Sequence, residues 1–349
     1  MKKAILRNFC AMFFLSLFVL QVAFAGNPVD CLKKQDPINC LASEAQSRLD
    51  QSKDGTLRSE KYGSLLVTLA TAGHRQDSIY FASEKATLEA GSLLSQWQLM
   101  IGRYTYALRF LPGPLLFEYK KNIFLLAGLL DKRLDPTDTL YMTISACEAR
   151  EAIASKVRDD WRLFLDDQCR SDFYDLEKLN DDEEKMLWVI AAPLINSFNR
   201  DRSSFDESIE KSSILAKAFE KDILSIKDRG RKNDLLGLSI LLRAIQVRAN
   251  VNMGSSQKSI DAVLELKNKL KNKVIHENKS LYIKEVTLTV KSTMPAMLAM
   301  VGLFAEAKAE LKTVLGDMER ANKLSIDDAV DILNSAIEAQ SLIQTGLPR

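Results

Sequence analysis

The sequence predicts an all-α protein, an array of antiparallel helix pairs. Three observations predict it. The 349 residues include only 14 Gly and 8 Pro, which suits long helices with short connections rather than many turns. Apolar and small residues recur at helical spacing, as in Phe205, Ile209, Ser212, Ala216, Phe219 and Ile223, a continuous seam of alternating four- and three-residue steps. The stretch 295–315, PAMLAMVGLFAEAKAELKTVL, reads as two helices around a tight turn. Met297, Leu298 and Val301 make the first apolar, and Gly302 ends it. The second puts Ala307, Leu311, Val314 and Leu315 on one face. Such a hairpin buries one side in its own partner and needs further helices for the other. No segment alternates as a strand between hairpin turns.

Taken in order, residues 1–25 have the form of a secretory signal peptide. Lys2, Lys3 and Arg7 form the basic end, Phe9 to Leu20 the apolar stretch, and Ala23-Phe24-Ala25 a small-x-small cleavage site. The apolar stretch is short for a membrane span, which needs about 20 residues. The expectation is cleavage after Ala25, no transmembrane anchor afterwards, and a periplasmic or secreted protein. The chain has 48 basic and 46 acidic residues. The signal alone accounts for that excess, so the remainder is close to neutral and nothing favours nucleic acid as a partner.

Gly26 to Pro37 is a polar entry. Helices are then expected over 39–51, 57–72 and 77–90, with Asp54-Gly55 and Gly73-His74-Arg75 as the turns between them. An aromatic-rich helix follows over 92–110. Leu111-Pro112-Gly113-Pro114 is the clearest break, and Leu115 to Leu130 resumes as helix. At Asp135-Pro136-Thr137-Asp138 the sequence has a cap, a proline suited to the first helical position, and an acid facing the dipole. The helix from there carries Cys147, and the next, over 158–169, carries Cys169. An acidic stretch introduces the helix with Trp188, Ile190 and Leu194, which Pro193 is expected to kink.

Asn196 to Ser204 is the expected seam between two helical halves, 26–200 and 201–349. Beyond it the reading ends one helix at Arg229-Gly230 and runs others over 234–250 and 256–274. Leu281 to Val301 is helical by context, although Val286-Thr287-Leu288-Thr289-Val290 favours a strand. The last helix starts at Ser325, with Asp328 three residues on as in a capping box, and ends at Gly346.

Cys10 leaves with the signal, and Cys31, Cys40, Cys147 and Cys169 remain. An even number in an exported chain reads as disulfides. Four cysteines allow three pairings. Local pairing, Cys31 with Cys40 and Cys147 with Cys169, is favoured because short loops meet most often. Zinc is the rival. It is disfavoured because no C-x-x-C occurs and the histidines are far off in sequence.

Ala299, Gly302, Phe304, Glu306, Ala307 and Leu311 resemble the second half of a tetratricopeptide repeat, where small residues let two helices approach and the glycine turns the chain. Leu69, Ala70, Gly73, Asp77 and Ser78 are a fainter likeness. Pro295 departs from the pattern, and no tryptophan or tyrosine fills the large positions of the first helix. The resemblance covers about a fifth of the chain. It implies a right-handed helical solenoid of a kind that usually binds other proteins.

Candidate sites are few. Trp97, Tyr104, Tyr106, Phe110, Phe117 and Tyr119 would line a groove for a peptide or glycan if exposed together, yet aromatics at helical spacing usually fill cores. The acidic run Asp166 to Glu184 has the oxygen ligands Ca²⁺ takes, but it lacks the alternating loop and serves equally as a solvated face and helix start. Lys267, Lys269, Lys271 and Lys273 suit anionic lipid or polymer, or simply the water-facing side of their helix. His74 and His276 stand in no catalytic pattern. Glu118, Glu148 and Glu151 are glutamates near apolar stretches, and a carboxylate pair for glycan hydrolysis leaves no spacing signature. No metal, cofactor or catalytic residue is expected. The leading expectation is a non-catalytic interaction scaffold or adaptor with envelope proteins as partners. The alternatives are a cell-wall glycan enzyme on a helical superhelix and a peptide or small-molecule binding protein.

Overall fold

The structure is a computed structural model that describes residues 27–111, 136–153, 160–169, 182–254, 256–271, 275, 278, 280–320 and 324–346. Among them every regular element is helical, and no strand occurs. The signal peptide, the 115–130 helix, Phe117, Glu118, Tyr119, Lys273 and His276 lie outside the described residues. Among the described residues no helix is long and apolar enough to cross a membrane.

The chain forms two compact units. The first holds α1 (Pro28–Cys31), α2 (Pro37–Gln51), α3 (Gly55–Ala72), α4 (Asp77–Glu89), α5 (Leu93–Phe110), α6 (Pro136–Ala152) and α7 (Asp160–Gln168). It is completed by Leu315–Ser341 from near the end of the chain. The second holds α8 (Asp182–Asn199), α9 (Arg202–Ser225), α10 (Arg229–Asn252), α11 (Gln257–Leu270) and α12 (Leu281–Met300). It also takes α13 (Phe304–Arg320) as far as Val314, and the tail from Leu342 of α14 (Ile326–Thr345). The polar stretch 196–204 covers the end of α8, the link Arg200-Asp201 and the start of α9, and the two helices pack together.

The first unit is built around α3, which packs on α2, α4, α5 and α6. Its closest crossing, with α5, is glycine on glycine. A Cβ on Gly102 would lie 2.6 Å from Gly63 Cα, nearer than packed carbons approach. The core beside this crossing takes Val67 and Ala70 from α3, Trp97, Ile101 and Tyr104 from α5, Met142 and Ala146 from α6, and Leu165 from α7. Asp54 caps α3, its carboxylate accepting from the Thr56 and Leu57 amides. Gly73 ends α3 at φ 69°, a left-handed turn that glycine adopts without strain. Cys31 and Cys40 join α1 to α2, and Cys147 and Cys169 join α6 to the end of α7, with Cα separations of 5.3 and 4.9 Å. These are the two pairs that local pairing favours.

In the second unit the seam expected along α9 is partly buried. Phe205, Ser212, Ala216 and Phe219 face inward, and Ala216 and Phe219 meet Ile190, Leu238 and Leu242. Pro193 lies inside α8 and Pro295 inside α12. Two boundaries differ from the sequence reading, the first being the end of α11, which is expected at residue 274 and falls at Leu270. At the second, Arg229-Gly230 does not end a helix but opens α10, because the Asp228 carboxylate accepts from the Arg231 amide and caps it. The strand-favouring run 286–290 is helical throughout, with Val286 and Val290 buried. Packing on α10 and α11 overrides its propensity.

Candidate functional site

The aromatic residues singled out from sequence are largely core. Trp97, Tyr104 and Tyr106 are 0, 1 and 0 % exposed. Trp97 meets Phe164 edge to face at 5.6 Å, and Tyr106 stacks on Tyr80 at 5.5 Å. The Tyr106 hydroxyl accepts from the Gln76 amide and donates to Asp77 Oδ1 at 3.2 Å. Phe110 is partly buried against the same core. Three of the six rings are therefore enclosed, and a groove can draw on none of those three.

The other sequence candidates are also accounted for locally. Asp166 faces Arg150 and Arg162 at 3.5 and 3.9 Å. Lys267 pairs with Glu310 at 2.8 Å and Lys269 with Glu265 at 3.2 Å. His74 lies 3.4 Å from an Asp36 oxygen. Glu148 and Glu151 are exposed on α6.

The most chemically loaded cluster is one that sequence reasoning missed. Lys61 of α3 lies between two carboxylates of α14, 2.5 Å from Asp327 and 2.7 Å from Asp331. The Lys61 side chain is 12 % exposed, that of Asp327 5 % and that of Asp331 35 %. Asp327 and Asp331 sit one turn apart, so both face α3. The contact continues in the same direction along both helices. The Asn334 amide donates to the Ser64 hydroxyl at 3.3 Å, and the Ser341 hydroxyl to the Ala72 carbonyl at 3.4 Å. Asp328 is occupied differently. Its carboxylate accepts from the Ser325 hydroxyl while its amide donates to the same oxygen, the cap that the sequence indicates.

Burial sets the protonation of this cluster. It is the strongest influence on Lys61 and works against the ammonium charge. Asp331 and Asp327 together outweigh it and hold the pKa above the ordinary lysine value. Burial raises Asp331 and Asp328, the first against the pull of Lys61 and the second against its Ser325 hydrogen bond. Glu60, next along α3, is pushed up to about 7 by burial, with Lys61 opposing and Asp327, Asp54 and Asp138 reinforcing the shift. The cluster thus combines a carboxyl that exchanges its proton near neutrality with a cation fixed between two acids. The first can donate or accept a proton; the second holds two helices together. Only the capping pair at Ser325 and Asp328 was visible in sequence, because Lys61 and Asp331 are 270 residues apart.

Among described residues, no group of three or more His, Cys, Asp or Glu is arranged to hold a metal ion. The chain matches no family model, no curated protein and no solved structure.

Proposed function

We propose that the protein is an exported, non-catalytic helical-repeat scaffold, related to the tetratricopeptide-like solenoids, that binds other proteins of the cell envelope. One observation carries the reading. Both segments that resemble the repeat are helix–glycine–helix hairpins with their small residues buried. Gly302 has φ 84°, the Leu303 amide returns to the Leu298 carbonyl, and Ala299 and Ala307 are fully buried. At the other segment Gly73 makes the same left-handed turn, the His74 amide returns to Leu69, and Ala70 is fully buried. Stacked hairpins of this kind leave an outer lining free to vary while the core is kept. On this reading α14 is a capping helix, and the disulfides suit an oxidising compartment.

The test is crosslinking in cells of the exported protein, followed by affinity capture and mass spectrometry. A small, reproducible set of envelope proteins is expected. Recovery of the protein alone would overturn the reading.

Glu60 supports a second reading, a cell-wall glycan enzyme, because such chemistry needs a carboxylic acid still protonated near neutral pH. Clearing of cell wall in a gel assay, abolished by Glu60→Gln, would establish it in place of the scaffold.

A further inference from the structure

The hairpin of α9 and α10 ends in a tip whose composition differs from the body of its unit. The last turns of α9, the link Ile226 to Asp228 and the first turn of α10 carry Lys221, Lys227, Arg229, Arg231 and Lys232, all exposed. None of the five makes an ion pair with a described residue. Asp222 and Asp228 are the acids between Lys221 and Lys232, and Glu220 just before them pairs with Arg243 at 3.1 Å. Asp228 is committed to capping α10, accepting from the Arg231 amide at 2.7 Å. Leu224 stands among these cations at 85 % exposure, the most exposed large apolar side chain among the described residues. It lies one turn from Lys221 and on the same face of α9. Ile223 and Ile226 beside it are half-buried. The body of the unit is reached at Asn233, which accepts from Asn278 at 3.1 Å, and at Gly237, which is packed against Tyr282.

We propose that this tip docks on an anionic lipid surface, with Leu224 entering the headgroup layer and the five cations meeting lipid phosphates. An exposed leucine in a stretch of exposed cations without ion pairs matches a partner that is negative at its face and apolar just beneath. A nucleic acid presents the charge without the apolar layer. Each basic residue near an anionic leaflet adds attraction that fades within a Debye length, so the contact is salt-sensitive. Burying one leucine adds a salt-independent part. Together they make a weak, reversible contact.

The test is co-sedimentation of the protein, purified after export, with vesicles. One set is pure phosphatidylcholine and the other contains about 30 mol % phosphatidylglycerol. Binding is expected to the anionic vesicles alone, and to fall severalfold between about 0.1 M and 0.5 M NaCl. L224S is expected to weaken it about tenfold, and the double variant K227E/R231E to abolish it. All these positions are exposed, and unchanged circular dichroism would show the fold intact. Absence of binding at low salt overturns the proposal. So does binding that ignores Leu224, which would point to an acidic macromolecule recognised by charge alone.

Discussion

Replacing Lys61 with methionine keeps the stem and removes the cation held between Asp327 and Asp331. Removing one partner of a buried ion pair costs about 3–5 kcal/mol, because a charge is left without compensation. Asp327 is nearly enclosed, but Asp331 is 35 % exposed and keeps part of its hydration. The expected loss is therefore at the lower end, about 3 kcal/mol. For a unit of this size that lowers the midpoint of thermal unfolding by about 6–12 °C. The assay is thermal unfolding followed by tryptophan fluorescence in a Trp188→Phe background. Trp188 belongs to the second unit, whereas Trp97 is buried in the core of the first. The pH dependence decides the cause. Asp331 already holds its proton up to about 6 in the folded protein, and without Lys61, which pulls that value down, it holds it higher still. The part of the penalty carried by Asp331 must then be lost as pH falls through about 6 and be absent at more acid pH. A loss under about 1 kcal/mol at pH 7, or one unchanged at about pH 3.5, would refute an electrostatic tie between α3 and α14.

Three other outcomes are expected. Glu60 holds its proton up to about 7 when folded, so its contribution is full below the unfolded value and is lost as pH rises through 7. Glu60→Gln should remove that slope and stabilise the protein at pH 8 by at most about 3 kcal/mol, read from urea titrations at pH 4.5 and 8. Replacing Cys147 and Cys169 by serine opens a loop with a separation of 22 residues. Loop-closure entropy puts that loss at about 3 kcal/mol, measured by urea unfolding under non-reducing conditions. Gly102→Ala forces α3 and α5 apart at their crossing. It should cost about 3 kcal/mol, visible as a lowered melting midpoint by far-UV circular dichroism, whereas Gly316→Ala, with nothing nearer than 3.9 Å, should not.

What could be read in advance was local. The cap at Ser325, the turns at Asp54-Gly55, Gly73 and Gly302, and the spacing of apolar residues depend on neighbours within a few positions, and helix boundaries there fall within two residues of the expected ones. The same logic placed Cys31 near Cys40. It misplaced the start of α10, because Gly230 is a terminator only if the chain before it is helical, and the Asp228 cap three residues from Arg231 resets the count. The burial of Trp97, Tyr104 and Tyr106 was half legible, since helical spacing fits a core and a groove equally. Nothing near Lys61 marks it. Glu60-Lys61 reads as a charged, water-facing pair on a helix, and the two α14 carboxylates that pair with Lys61 come from far along the chain.

That arrival also explains why a lysine is useful on the central helix of the unit. An apolar contact between α3 and α14 would be nearly degenerate, because sliding one helix by a turn replaces alanines and leucines with others of similar size. The polar contacts remove the degeneracy. Moving α14 by one turn keeps Lys61 beside at most one of its two carboxylates. The other stays half-enclosed with no cation, and Asn334 is carried away from Ser64. The cost of an unpaired buried charge then separates the observed register from its neighbours, where hydrophobic burial alone would not. Since Asp331 is 270 residues from Lys61, this selection acts only after the rest of the chain is present.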